Sequence, residues 1–147
     1  MRVLMVTSGP LPTPGEAVTT NFIQRQADHL RAAGVTVDDF AFVGRQAVHR
    51  YALAWARVQR KLASGSYDLV HAQFGHSGVV TFPKRRPLVV TLRGDDLQGL
   101  IEDEQGRIGF RGRLLQGVSR WVACHADAVI VVSDHMRALL PCDKPVY

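Results

Sequence analysis

A chain of 147 residues, 46% hydrophobic and 21% charged, has the composition of one soluble globular domain, which excludes a disordered tail and leaves no room for a second full domain. Its formal charge of +5, from 18 Lys and Arg against 13 Asp and Glu, biases it towards anions such as phosphates, nucleic acids or acidic lipid. No apolar run approaches a membrane span, MRVLMVTSGP is broken by Ser8, Gly9 and Pro10 too early for a secretory signal, and Cys124 and Cys142 make no disulfide framework, so the expected compartment is the reducing cytoplasm.

Val3 to Val6 is a continuous apolar run and predicts a strand covered on both faces, closed by Thr7, Ser8 and Gly9. The following GPLPTPG, Gly9 to Gly15, cannot be helical, because its three prolines restrict themselves and the residues before them. A helix is expected from Glu16, with Ile23, Ala27 and Leu30 at helical spacing and Gly34 as the left-handed residue that ends it. Val35 to Phe42 alternates around Asp38 and Asp39, the pattern of a strand near a sheet edge. From Arg45 to Ala63, Tyr51, Trp55, Val58 and Leu62 recur at three and four residues while Arg50, Arg57, Arg60 and Lys61 fall mostly elsewhere. That pattern predicts a helix packed on the sheet or, in an alternative reading, a basic amphipathic helix resting on anionic lipid.

Tyr67 to Ala72 predicts a third strand, running into Gln73 to Gly78, where two glycines allow a close turn before a short helix at Val79 to Phe82. Leu88, Val89 and Val90, inside PLVVTLRGDD, show no alternation and predict a doubly covered central strand. The stretch GLIEDEQGRIGFRG that follows promises mobility. A helix is expected over Arg113 to His125 with Leu114, Val118, Trp121, Val122 and His125 on its packed face and Cys124 as a small apolar residue. Ala128 to Val132 is a further strand, Ser133 a ready N-cap for a helix to Leu140, and residues 144–147 the start of another strand. The alternation specifies the α/β class: a doubly wound, mainly parallel Rossmann-like sheet with helices on both faces, one domain over residues 1–147.

Open sheets of this kind bind ligands beyond the carboxyl ends of their strands. The order of elements delivers Ser8, Gly9 and Gly15, then His71 to His76, then Arg93 to Asp96, then Ser133 to that one rim. Gly15 and Glu16 open a helix and offer backbone N–H groups to a phosphate, although the absence of GxGxxG and GxxxxGK[ST] argues against a dinucleotide or P-loop site. His71 and His76 have no third ligand at metal spacing, so no metal is expected. Asp95 and Asp96 either cap the following turn and hold Arg93 or recognise hydroxyls. The basic residues are dispersed, with Lys84, Arg85 and Arg86 the one run, which argues against nucleic acid as a partner.

Together these segments resemble the amino-terminal domain of retaining GT-B glycosyltransferases of the family 4, or group 1, type. The family's first strand, loop and helix are matched by VLMVTSGPLPTPGEAVTTNFIQRQADHLRAAGVTV, its His-x-His-Phe-Gly segment by DLVHAQFGHSG, and its Thr-x-His-Gly-x-Asp by VVTLRGDD. DAVIVVSDHMRALL resembles the last strand and helix before the interdomain connection. Gly15 stands where the family has paired glycines, Gln73 replaces the second histidine, and Arg93 replaces a histidine used near the reacting sugar. Permanently charged, Arg93 cannot be a general base at neutral pH, so its role is electrostatic.

The resemblance implies the acceptor side of a hexosyltransferase, with a nucleotide-sugar donor and a glycan, lipid or small-molecule acceptor as partners and no cofactor. The carboxyl-terminal, donor-binding domain is absent from this chain, and the isolated fragment is expected to be inactive. Arg93 and His71 are the expected catalytic residues; Gly15, Glu16, Gln73, Gly94, Asp95, Asp96 and Ser133 are expected to bind donor or acceptor. An anionic surface at the inner membrane face is a further expected partner. The rival readings are a non-enzymatic α/β module that binds nucleotides or anions, and a basic domain that docks on membrane or nucleic acid.

Overall fold

The computed structural model describes residues 1–9, 21–43, 48–99 and 108–147. Five strands, β1 (Arg2–Ser8), β2 (Thr36–Phe42), β3 (Leu69–Gln73), β4 (Leu88–Leu92) and β5 (Ala128–Val131), form one sheet in the order β2-β1-β3-β4-β5, and every pairing is parallel. The helices are α1 (Asn21–Ala32), α2 (Val48–Ser64), α3 (Gly94–Gln98), α4 (Phe110–His125) and α5 (Asp134–Ala138), with a 3-10 turn at His76–Thr81. The α/β, doubly wound expectation holds. The strand taken as central, β4, is an inner strand, but the middle place belongs to β3.

Successive side chains on a strand point to opposite faces, so a strand apolar at every position must be covered twice. In β1, Met5 packs with Ile23 and Ala27 of α1 and with Val37, while Leu4 and Val6 join Val58 and Leu62 of α2 and Val122 and Ala123 of α4. Thus α1 covers one face, and α2, the 3-10 turn and α4 cover the other. Gly34 ends α1 with φ +81, a left-handed conformation that costs glycine nothing. As the alternation in its sequence indicated, β2 is an edge strand. Its carboxylates are paired: Arg2 and the Tyr67 hydroxyl both donate to Asp38, at 2.6 and 2.8 Å, and these donors hold the Asp38 carboxyl below its ordinary range. Residues 145–147 lie alongside β5, with Val146 bridging Val129 in parallel sense.

Three expectations fail for identifiable reasons. The buried face of α4 is Gly112, Ser119, Val122 and Ala123, whereas Leu114 is 58% exposed. Small residues are buried here because α4 lies so close to the 3-10 turn: a Cβ added at Gly78 would fall 2.5 Å from Val122 Cγ1, and one at Gly75 would overlap Ser119. Cys124 is not a plain apolar residue but is bonded to Cys142, across 5.5 Å between Cα atoms. That pair removes the cysteine argument for a reducing cytoplasm. Finally, the loop expected from after Asp96 to Gly112 is shorter at both ends, since α3 runs to Gln98 and α4 begins at Phe110, while residues 100–107 lie outside the described residues. Among the described residues no helix is long and apolar enough to cross a membrane.

Candidate functional site

The chain leaves β1 towards β2 and leaves β3 towards β4, so the connections above these two strands part and open a crevice at their carboxyl ends. Ser8 closes β1, Gln73 closes β3, and Arg93 follows β4 directly. His71 and Gln73, two residues apart, share the sheet face of Met5 and Thr7, their partners on β1.

His71 is 5% exposed, and its Nε2 lies 2.8 Å from Thr91 Oγ1 on β4. Burial first, and then the nearby Arg93 charge, lowers it from 6.5 to about 4. The imidazole is therefore neutral at pH 7, and it cannot carry the proton that a general acid would deliver. Gln73 is fully buried. Its amide donates to Gln26 Oε1 at 2.8 Å and faces His71 Nε2 at 3.4 Å, while its carbonyl accepts from Arg93 at 3.3 Å. Both ends of the Gln73 amide engage neighbouring side chains, and its carbonyl orients Arg93.

The Arg93 guanidinium lies over Phe22 of α1, 3.9 Å from the ring centroid, and 5.3 Å from that of Phe74. The two rings meet edge to face at 6.4 Å. Cation–π attraction of this kind holds a guanidinium without neutralising it. Burial pulls the group below its ordinary value, and the Asp96 charge opposes the shift. Phe74 adopts φ 82, a left-handed conformation that is a genuine outlier for a bulky residue. The sharp turn lets its N–H reach Thr91 O at 2.9 Å while its ring covers Arg93.

Asp96 is 3% exposed. Oδ1 accepts from the Gly75 N–H at 2.9 Å and the Ser119 hydroxyl at 3.1 Å, and Oδ2 accepts from the Arg93 N–H at 2.9 Å. Through these bonds the carboxylate joins the β3 loop, the β4 loop and α4, the structural one of the two roles expected of it. Beside it, His76 Nδ1 is 3.5 Å from Asp96 Oδ1, and His76 Nε2 is 2.6 Å from Ser8 Oγ. Ser77 donates to Ser8 Oγ at 2.9 Å. The β1 end is thereby stitched to the 3-10 turn.

The remaining expected residues divide. Gly94 opens α3, half-buried, and Asp95 lies within that helix with its side chain outside the description. Ser133 caps α5, accepting from the Met136 N–H at 3.4 Å, and among the described residues no contact draws it to the Arg93 cluster. Gly15 and Glu16 lie outside the described residues. Sequence reasoning missed Phe22, Gln26, Phe74 and Ser119. The aromatic in QFGH was the available signal for Phe74, whereas Phe22 and Gln26 reach the rim only through the seating of α1. Among the described residues no group of three His, Cys, Asp or Glu is placed to hold a metal.

The glycosyl transferase 4-like domain family has a sequence model that matches residues 1–145. Among solved structures, sucrose-phosphate synthase from Thermosynechococcus elongatus superposes with a TM-score of 0.71 at 14% identity, over 99% of this chain and 46% of that one. At that identity the likeness is one of fold, and the chain spans less than half the length of that structure. No curated protein matches the chain in sequence.

Proposed function

The chain belongs to the glycosyl transferase 4-like domain family, and from that premise we propose that it is the acceptor-side half of a retaining glycosyltransferase that moves a hexose from a nucleotide-sugar donor to a glycan, lipid or small-molecule acceptor. The observation that carries the reading is Arg93, a permanent cation fixed at the β1/β3 crevice by Gln73 and two aromatic rings. In such a transfer the bond from the sugar's anomeric carbon to the diphosphate breaks, a bond to an acceptor oxygen forms, and negative charge collects on the departing group. A guanidinium already in place stabilises oxygen-borne charge with little reorganisation. His71, neutral, acts as a positioning residue that holds Gln73 and hence Arg93. The departing diphosphate oxygen, which gains the electron pair of the broken bond, takes the proton of the acceptor hydroxyl, because His71, lowered to about 4, is a weak base for it. Gly15 and Glu16 keep their sequence-based assignment near the diphosphate.

A carboxyl-terminal domain completes the donor site in this reading, and residues 1–147 alone perform no transfer. The test is calorimetric titration of the chain with nucleotide sugars, inorganic pyrophosphate and simple glycosides, beside Arg93→Ala. Weak anion or glycoside binding, reduced about tenfold or more by Arg93→Ala, is expected. Tight nucleotide-sugar binding by this chain alone supports a self-contained nucleotide-binding module instead, and transfer by the chain alone contradicts the half-enzyme reading.

A further inference from the structure

The Lys and Arg residues are not dispersed once the chain is folded. α2 carries four and α4 three, and the linker from Pro83 to Pro87 carries three more, so more than half of the chain's 18 basic residues lie in three segments that contain no Asp or Glu. α2 and α4 cover the same sheet face, and the linker leaves the 3-10 turn between them. Beside them, the Asp127 carboxylate is taken by Lys84 at 2.9 Å.

Apolar side chains stand among these charges. Trp55 of α2 is 46% exposed and Trp121 of α4 is 45% exposed. Phe82 joins them, its carbonyl accepting from Trp55 Nε1 at 2.7 Å and its ring 4.6 Å from that of Trp121. Leu53 is exposed one turn from Arg57. It lines a groove of about 310 Å³ between α2 and the edge strand β2, with Phe42 and Val43 on its wall and Arg50 and Arg57 also lining it.

We infer that this face, opposite the sheet face that carries His71 and Gln73, docks on an anionic lipid bilayer. Tryptophans, with an apolar body and a polar N–H, settle at the level of the headgroups. Arginine and lysine lay their stems along apolar surface and keep their charge in the headgroup layer. The attraction rests on charge complementarity between acid-free helices and acidic lipid. A nucleic acid would satisfy the cations but has little use for aliphatic Leu53 and Leu114 on the same surface. The inference does not depend on the glycosyltransferase reading, because it concerns the α2–α4 face and not the rim.

The chain has two tryptophans, and both are on this face, so its intrinsic emission reports on the face alone. With phosphatidylglycerol-rich vesicles at low salt, a blue shift and quenching by bromine-labelled acyl chains are expected. Pure phosphatidylcholine should give neither, and high salt should weaken both. Arg57→Glu with Arg60→Glu, two exposed positions, should weaken vesicle affinity by about tenfold or more; Arg25→Glu, on the exposed side of α1, should not. Circular dichroism of each variant checks that it folds, and the brominated-lipid quench of the unaltered chain stands without them. Unchanged emission with anionic vesicles, equal weakening by Arg25→Glu, or binding of an oligonucleotide with vesicles ignored would overturn the inference.

Discussion

Replacing Asp96 by alanine removes the shared acceptor of three donors: the Gly75 N–H at 2.9 Å, the Arg93 N–H at 2.9 Å and the Ser119 hydroxyl at 3.1 Å. A hydrogen bond to a charged group contributes about 1.5–3 kcal/mol, and a buried donor left unpaired costs about 1–3 kcal/mol. The two backbone N–H groups alone make the loss about 3–6 kcal/mol. That is a large part of a typical stability of about 5–15 kcal/mol, and it lowers the melting temperature by about 10 °C or more. Urea unfolding followed by circular dichroism measures it directly. Asp96→Asn keeps one carbonyl acceptor and should lose about half as much. If Asp96→Ala costs less than about 1 kcal/mol, the carboxylate is not committed to the fold, and hydroxyl recognition returns as its role.

Because His71 falls from 6.5 to about 4 on folding, the unfolded chain binds the proton more tightly than the folded one. Its contribution, about 3 kcal/mol, is present above pH 6.5 and lost as pH falls towards 4; His71→Gln should flatten that part of the stability–pH curve, and parallel curves would refute the argument. The bond between Cys124 and Cys142 closes a loop with a sequence separation of 18, so reduction or Cys142→Ser should cost about 3 kcal/mol. A thiol assay on the unfolded, unreduced chain should find no free cysteine. Gly78→Ala drives a methyl into Val122 Cγ1 at 2.5 Å and should cost about 1–3 kcal/mol, with Val122→Ala restoring part of the loss in the double variant.

What the sequence announced about the fold was whatever burial imprints locally. Leu88 to Val90 could only be a strand covered twice, Asp38 and Asp39 marked an edge, and Gly34 marked a helix end. The face of α4 was not legible, because its packed side is chosen by the contact of Ser119 and Val122 with two distant glycines, Gly75 and Gly78. Leu114 looked like core only because no local signal states how closely a neighbour approaches. At the rim, the gathering of His71, Gln73 and Arg93 followed from alternating strands and helices. Their individual contacts did not follow, since nothing local to Gln73 says that it bridges Gln26 and Arg93. The cysteine pair was hidden for a related reason: residues 124 and 142 meet only after β5 and α5 turn the chain back.

Phe74 sets two demands on one position against each other. Its backbone, at φ 82, would be relaxed by glycine, which adopts that conformation without the strain of about 1–3 kcal/mol a bulky residue bears there. Glycine would also delete the ring beside the guanidinium. A selection for thermal tolerance alone would drift towards glycine and slacken the cation at the crevice, whereas a selection for turnover would hold the phenylalanine and accept a weaker fold. Laboratory evolution under the two regimes should therefore part company at this codon before it does so elsewhere on the rim.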